Sequence, residues 1–359
     1  MRDLPHAGTH GPITPRHHSA DRAPRRYRAV LLGLGCALFV YLLIRLGTAE
    51  IFSLVRGIGW SFGLIAATYL VHQLLRATAY WKCVLANGHA SYWDVLRIRL
   101  SGEAIQFLTF SGPFLAEPAK MWLLRSRGLS TKHAVAATVS EYLIYTLTSA
   151  AFAIAGLTYL LGNFEVSGPT AVAAKVVVYA MGTFLLAAAW AIIFRIYLIG
   201  TIIKGLRGLP LIGKHLRFEQ QDIDDTEDLL FAVLRDRPLR FLTILIIEFA
   251  AQGLLVLELF ILLRATGQPF SISDPLLIEA ASKFVGLAFF FVPGQVGAAE
   301  GVYALIFKTM GLAASTGFAL AVARRLRNLL AAVAGLAFAP RWKDTRPGRA
   351  QDADVESVP

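Results

Sequence analysis

Long runs of this chain carry almost no charge, and that constrains the fold more than any other feature. A helix that crosses a bilayer needs about 20 mostly apolar residues. Six blocks meet the requirement: Ala29–Leu46, Trp60–Tyr80, Ala134–Leu161, Thr170–Phe194, Phe241–Leu263 and Thr316–Ala339. Only 16% of the 359 residues are charged and 56% are hydrophobic, with a mean hydropathy of +0.56. Soluble domains carry about 25% charge. A soluble globular enzyme and a disordered chain are both excluded, and the expectation is an all-α polytopic membrane protein.

Two further apolar stretches, Ser101–Leu124 and Pro275–Met310, are interrupted near their middles by Gly112, Pro113 and Pro118 and by Pro293, Gly294 and Gly297. Broken backbone at membrane depth survives only inside protein or beside a watery cavity. Both stretches are therefore expected to be re-entrant helical hairpins, alongside about six transmembrane helices. Lys and Arg test this map. They crowd the 1–28 tail, the Lys82–Lys132 region, the 195–240 connection and the 341–359 tail, while the opposing connections hold Arg45, Arg56 and Arg264. The positive-inside rule then puts both termini in the cytoplasm, which works only if each hairpin returns to the side it entered from.

That geometry is an inverted repeat, with one copy at about 58–161 and the other at about 240–339. Setting Glu117 on Glu300 also sets Gly128 on Gly311, Leu129 on Leu312 and Ala136 on Ala319. Inverted repeats with broken helices at mid-depth mark transporters, and their substrate sites lie where the copies meet.

Charges in hydrocarbon are expensive, so those inside the apolar blocks are the candidate functional residues. Arg324, Arg325 and Arg327 lie in a helix with no other charge, with Arg324, Arg327 and Asn328 on one face. They need anions, which Glu117, Glu300 and Glu141 or a lipid phosphate could supply. Gly294 and Gly297, like Gly112, would open half-helices whose free N–H groups suit an anion. Lys120 completes the substrate-binding set of Glu117, Glu141, Glu300, Lys120, Arg324, Arg325, Gly294 and Gly297. The expectation is one central polar cleft in which Arg324 or Arg325 faces Glu117 and Glu300.

The remaining signals are weaker. Asp222, Asp224, Asp225, Glu227 and Asp228 form DxDD and DDxxD patterns that bind Mg²⁺ and diphosphate in prenyl-transferring enzymes, but those enzymes use two facing motifs and this chain has one. A solvated amphipathic helix is the simpler reading. Cys36 and Cys83 make neither a CxxC nor a disulfide framework, the histidines do not cluster, and no HExxH, P-loop, GxSxG or GxGxxG occurs. No cofactor, metal or nucleic acid is called for, and the +11 net charge is explained by topology.

The run SGPFLAEPAKMWLLRSRGLS at 111–130, followed by Glu141, resembles the first signature of the lysylphosphatidylglycerol synthase transmembrane-region family, also called the flippase-like domain family. FVPGQVGAAEGVYALIFKTMGL at 291–312, followed by Arg324 and Arg325, resembles the second. The first departs from the family by carrying Ser111-Gly112 where relatives have Pro-Gly. The resemblance spans roughly 29–340 and does not extend to a soluble synthase domain. It implies transport of an anionic or polyprenyl-linked lipid between leaflets of a bacterial inner membrane. A membrane enzyme of lipid or prenyl metabolism, or a partner of a lipid-modifying enzyme, are the alternatives.

Overall fold

The computed structural model describes residues 59–109, 112–164, 166, 168–197, 220–267, 269–288 and 298–338. The block Ala29–Leu46, the second break with Gly294 and Gly297, and both tails lie outside them. Among the described residues every regular element is a helix: α1 (Ser61–Asn87), α2 (Tyr92–Leu108), α3 (Pro113–Arg125), α4 (Thr131–Asn163), α5 (Gly168–Ile193), α6 (Gln220–Leu234), α7 (Pro238–Ala265), α8 (Asp274–Ala288), α9 (Ala298–Thr309) and α10 (Ala314–Ala337). Three of them, α4, α5 from Ala171 and α7, are long and apolar enough to cross a membrane. Helices α1 and α10 have 27 and 24 residues but are interrupted by buried charge.

The interrupted stretches are pairs of short helices. α2 and α3 have 17 and 13 residues, and α8 and α9 have 15 and 12. Between α2 and α3 the chain extends at Thr109 and turns at Gly112, where φ is +45°, before Pro113 opens α3 with its ring-fixed φ.

The turns that follow the two pairs are alike. Gly128 (φ +96°) donates to the Arg125 carbonyl, and Leu129 N–H reaches back to Leu124. Gly311 (φ +73°) donates to Lys308, and Leu312 N–H reaches back to Phe307. A glycine in the left-handed region and a bond spanning five residues close both helices in Schellman fashion. Every member of one turn stands 183 residues from its counterpart, the sequence offset that pairs Glu117 with Glu300.

Packing is crossed. α1 and α7 share the most extensive contact, while α2 lies against α10 and α8 against α4. Close approach needs glycine at both crossings. A Cβ on Gly156 of α4 would lie 2.2 Å from the Ala280 Cβ of α8, and one on Gly335 of α10 would lie 2.2 Å from the Leu100 carbonyl oxygen of α2. Backbone cannot give way cheaply, so Gly335→Ala should cost about 1–3 kcal/mol through overpacking. Thermal unfolding of the purified variant checks this; an unchanged midpoint would mean the helices do not meet there.

The apolar core has two large parts and a small third one, Ala104, Leu108 and Ala332 between α2 and α10. One large part joins α1, α2, α3, α4, α6 and α7 around Tyr80, Ile98, Leu124, Ile144 and Ile244. The other large part joins α1, α7, α8, α9 and α10 around Leu259, Ile278, Phe307 and Leu320. Helix α5 turns most of its apolar surface outward, with Val172, Tyr179, Leu186 and Trp190 exposed, as a helix facing lipid does.

Helix α6 carries the acidic run. Its apolar face, Ile223, Leu230, Phe231 and Leu234, is buried, and its acidic face meets cations and hydroxyls. Lys132 Nζ lies 2.8 Å from Asp222 and 2.6 Å from Asp225, and Tyr197 Oη donates to Asp228. These groups are about half exposed, and such pairs contribute little. Replacing both Asp222 and Asp225 by Asn should move the unfolding midpoint by no more than a few degrees; a collapse in yield would give the cluster a larger role.

Candidate functional site

Two ion networks occupy the interior. The first centres on Glu141, which is fully buried on α4. Arg76 of α1 donates to it at 2.6 Å, Lys120 of α3 at 3.2 Å and Arg99 of α2 at 3.4 Å. Arg76 also approaches Glu248 of α7 at 3.3 Å and lies 3.6 Å over the Tyr145 ring, while Lys120 pairs with Glu117 at 2.7 Å. Gly102 lets the Lys120 stem cross α2, because a Cβ there would meet it at 2.8 Å.

The second network centres on Glu258 of α7 and Glu279 of α8. Arg324 donates to Glu279 at 2.6 Å and to the Tyr303 hydroxyl at 2.5 Å, and its Nε approaches Glu258 at 3.5 Å. Arg327 pairs with Glu258 and donates to Asn328 at 2.7 Å, and Lys283 pairs with Glu279 at 2.7 Å. Buried charges in this number persist only when each finds an opposite charge or a strong acceptor.

Tyr69 joins the two networks. Its hydroxyl donates to Glu103 at 3.1 Å, its ring lies 3.8 Å beneath the Arg327 guanidinium, and Gln73 donates to its oxygen at 2.8 Å. Arg99 donates to the other Glu103 oxygen at 3.4 Å. On the first network's side a cavity of about 40 Å³ opens, walled by Arg76, Arg99, Glu103, Glu117, Lys120 and Tyr142. It has room for about three waters.

The sequence-derived residues are distributed as follows. Glu117, Lys120 and Glu141 come together in the first network. Arg324 belongs to the second, where its anions are Glu258 and Glu279 instead of Glu117 or Glu141. Arg325 is buried on the same helix. Glu300 lies in the first turn of α9, and Gly294 and Gly297 fall outside the described residues. The single cleft thus resolves into two networks bridged by Tyr69. Sequence reasoning missed Arg99 and Glu279, which stand at the polar margins of their blocks. The signal that could have found them is the i, i+4 spacing of Arg99 with Glu103 and of Glu279 with Lys283.

Residues 29–335 match the family model described as the lysylphosphatidylglycerol synthase TM region. The chain belongs to that family. Comparison with curated proteins and with solved structures finds no significant match. Membership makes this a membrane protein with a lipid-related role. Among the described residues no group of His, Cys, Asp and Glu is placed to hold a metal ion.

Proposed function

We propose that the protein carries an anionic or polyprenyl-linked lipid between the leaflets of a bacterial inner membrane, as a transporter and not as an enzyme. The observation that carries this reading is the pair of charged networks at the crossing of the two halves. Glu141 stands ten residues into α4 and Arg324 ten residues into α10, about 15 Å from each helix start at 1.5 Å per residue. In a hydrocarbon layer about 30 Å thick, both reach its middle.

The architecture under this reading has six spans and two re-entrant pairs. α1, α4, α5, α7 and α10 cross, and the sixth span expected from the sequence, Ala29–Leu46, lies outside the described residues. α2–α3 enters from the cytoplasm and α8–α9 from outside, since no helix in either pair reaches the length a span requires. The matched glycine turns and the crossed packing support an inverted repeat, and both termini are then cytoplasmic. A head group would move past the cavity and Tyr69 while the acyl or prenyl tails stay in the bilayer. Liposomes reconstituted with the protein and a fluorescent phosphatidylglycerol test this. Faster leaflet exchange than in protein-free liposomes is expected, and an unchanged rate with all lipids tried would refute transport.

A further inference from the structure

One buried cation is held less firmly than its neighbours. Arg99 is 4% exposed, yet its nearest carboxylate oxygens, on Glu103 and Glu141, both stand at 3.4 Å. Its Nε–H has no hydrogen-bond partner among the described residues. By contrast Arg76 and Arg324 each have a carboxylate at 2.6 Å, and Lys120 has one at 2.7 Å. A buried donor left unmade is costly, and the guanidinium fork matches two oxygens of a phosphate. Arg99 faces the cavity, whose walls also carry Glu117 and two cations, Arg76 and Lys120, each already paired with a carboxylate. Glu103, one turn later on α2, has a side chain 28% exposed at the same cavity.

We propose that this cavity binds phosphate oxygens through Arg99, and that Glu103 is the internal anion that occupies Arg99 when no phosphate is there. An arriving phosphate takes over the Arg99 nitrogen held by Glu103 and supplies an acceptor for Nε. Glu103 is then left with the Tyr69 hydroxyl. Because the Tyr69 ring carries Arg327, exchange at the first network is felt at the second. That the phosphate belongs to a lipid rests on the transport reading; the site itself rests on Arg99.

The two carboxylate contacts make the test specific, because competition predicts a gain. Full-length protein in detergent is titrated calorimetrically with dihexanoyl phosphatidylglycerol, with inorganic phosphate, and with dihexanoyl glycerol as the phosphate-free control. Removing a like charge beside the ligand should let Glu103→Gln bind the phosphatidylglycerol about tenfold more tightly than the native protein. Arg99→Gln should bind it at least about tenfold more weakly, and Arg99→Lys, which keeps the charge and guards against misfolding, should fall between. General damage would weaken every variant, so unchanged or weaker binding by Glu103→Gln overturns the proposal. Equal binding of the phosphate-free control, insensitive to Arg99, overturns it too. Arg99-dependent binding of inorganic phosphate as tight as that of the lipid upholds the phosphate site and removes the lipid. Arg99-dependent lipid binding without leaflet exchange in liposomes upholds the site and refutes transport.

Discussion

Glu141→Ala is expected to destabilise the protein by about 3–5 kcal/mol, the cost of breaking a buried ion pair by removing one partner. Three cations from three different helices converge on this one carboxylate, which is wholly shielded from solvent. Without it Arg76 retains Glu248 and Lys120 retains Glu117, but Arg99 keeps only its long contact to Glu103. Uncompensated charge would then press α1, α2 and α3 apart where they pack on α4. A second change that removes one cation, Lys120→Met, should recover part of the loss, since interacting residues are not additive. The thermal midpoints of native, single and double variants in one detergent check both statements. A Glu141→Ala variant as stable as native protein would mean the network is hydrated and open.

Arg324→Gln should be nearly as damaging. Arg324 is buried, pairs with Glu279 and donates a hydrogen bond from Nη1 to the Tyr303 hydroxyl, and Lys283 alone would remain beside Glu279. Replacing the pair together, Arg324→Met with Glu279→Met, should restore much of the stability, because well-packed apolar residues often substitute for a buried ion pair without loss. The double variant should nevertheless lose transport, since the charges would be gone from the crossing. If it folds and still exchanges lipid at the native rate, the second network is structural only.

How much of this was legible beforehand differs by level. The apolar blocks among the described residues and the Gly112–Pro113 interruption are one-dimensional properties, so they fall on helices and a break directly, whereas Pro118, expected to interrupt, lies inside α3. The 183-residue offset was also visible, and the turns at Gly128 and Gly311 carry it into geometry. Which charge meets which was not. Arg324 looks for an anion anywhere within reach of its helix face, and Glu258 and Glu279 come from α7 and α8, whose place beside α10 no periodicity states. Arg99 and Glu279 are inconspicuous because each closely follows other polar residues, Asp94 and Arg97 before one, Ser271, Ser273 and Asp274 before the other. Tyr69 was invisible for a simpler reason. A tyrosine in an apolar helix is ordinary until its neighbours are known.

The claim beneath the rest is that the two halves enter the membrane with opposite orientation. Ser130 and Ala313 stand 183 residues apart, both exposed, each just before the long helix that closes its half. In a background with Cys36 and Cys83 replaced, single cysteines at these positions can be exposed to a membrane-impermeant maleimide in intact cells and in inverted vesicles. Ser130→Cys should label only in inverted vesicles and Ala313→Cys only in intact cells. Labelling of both from the same side would contradict the account.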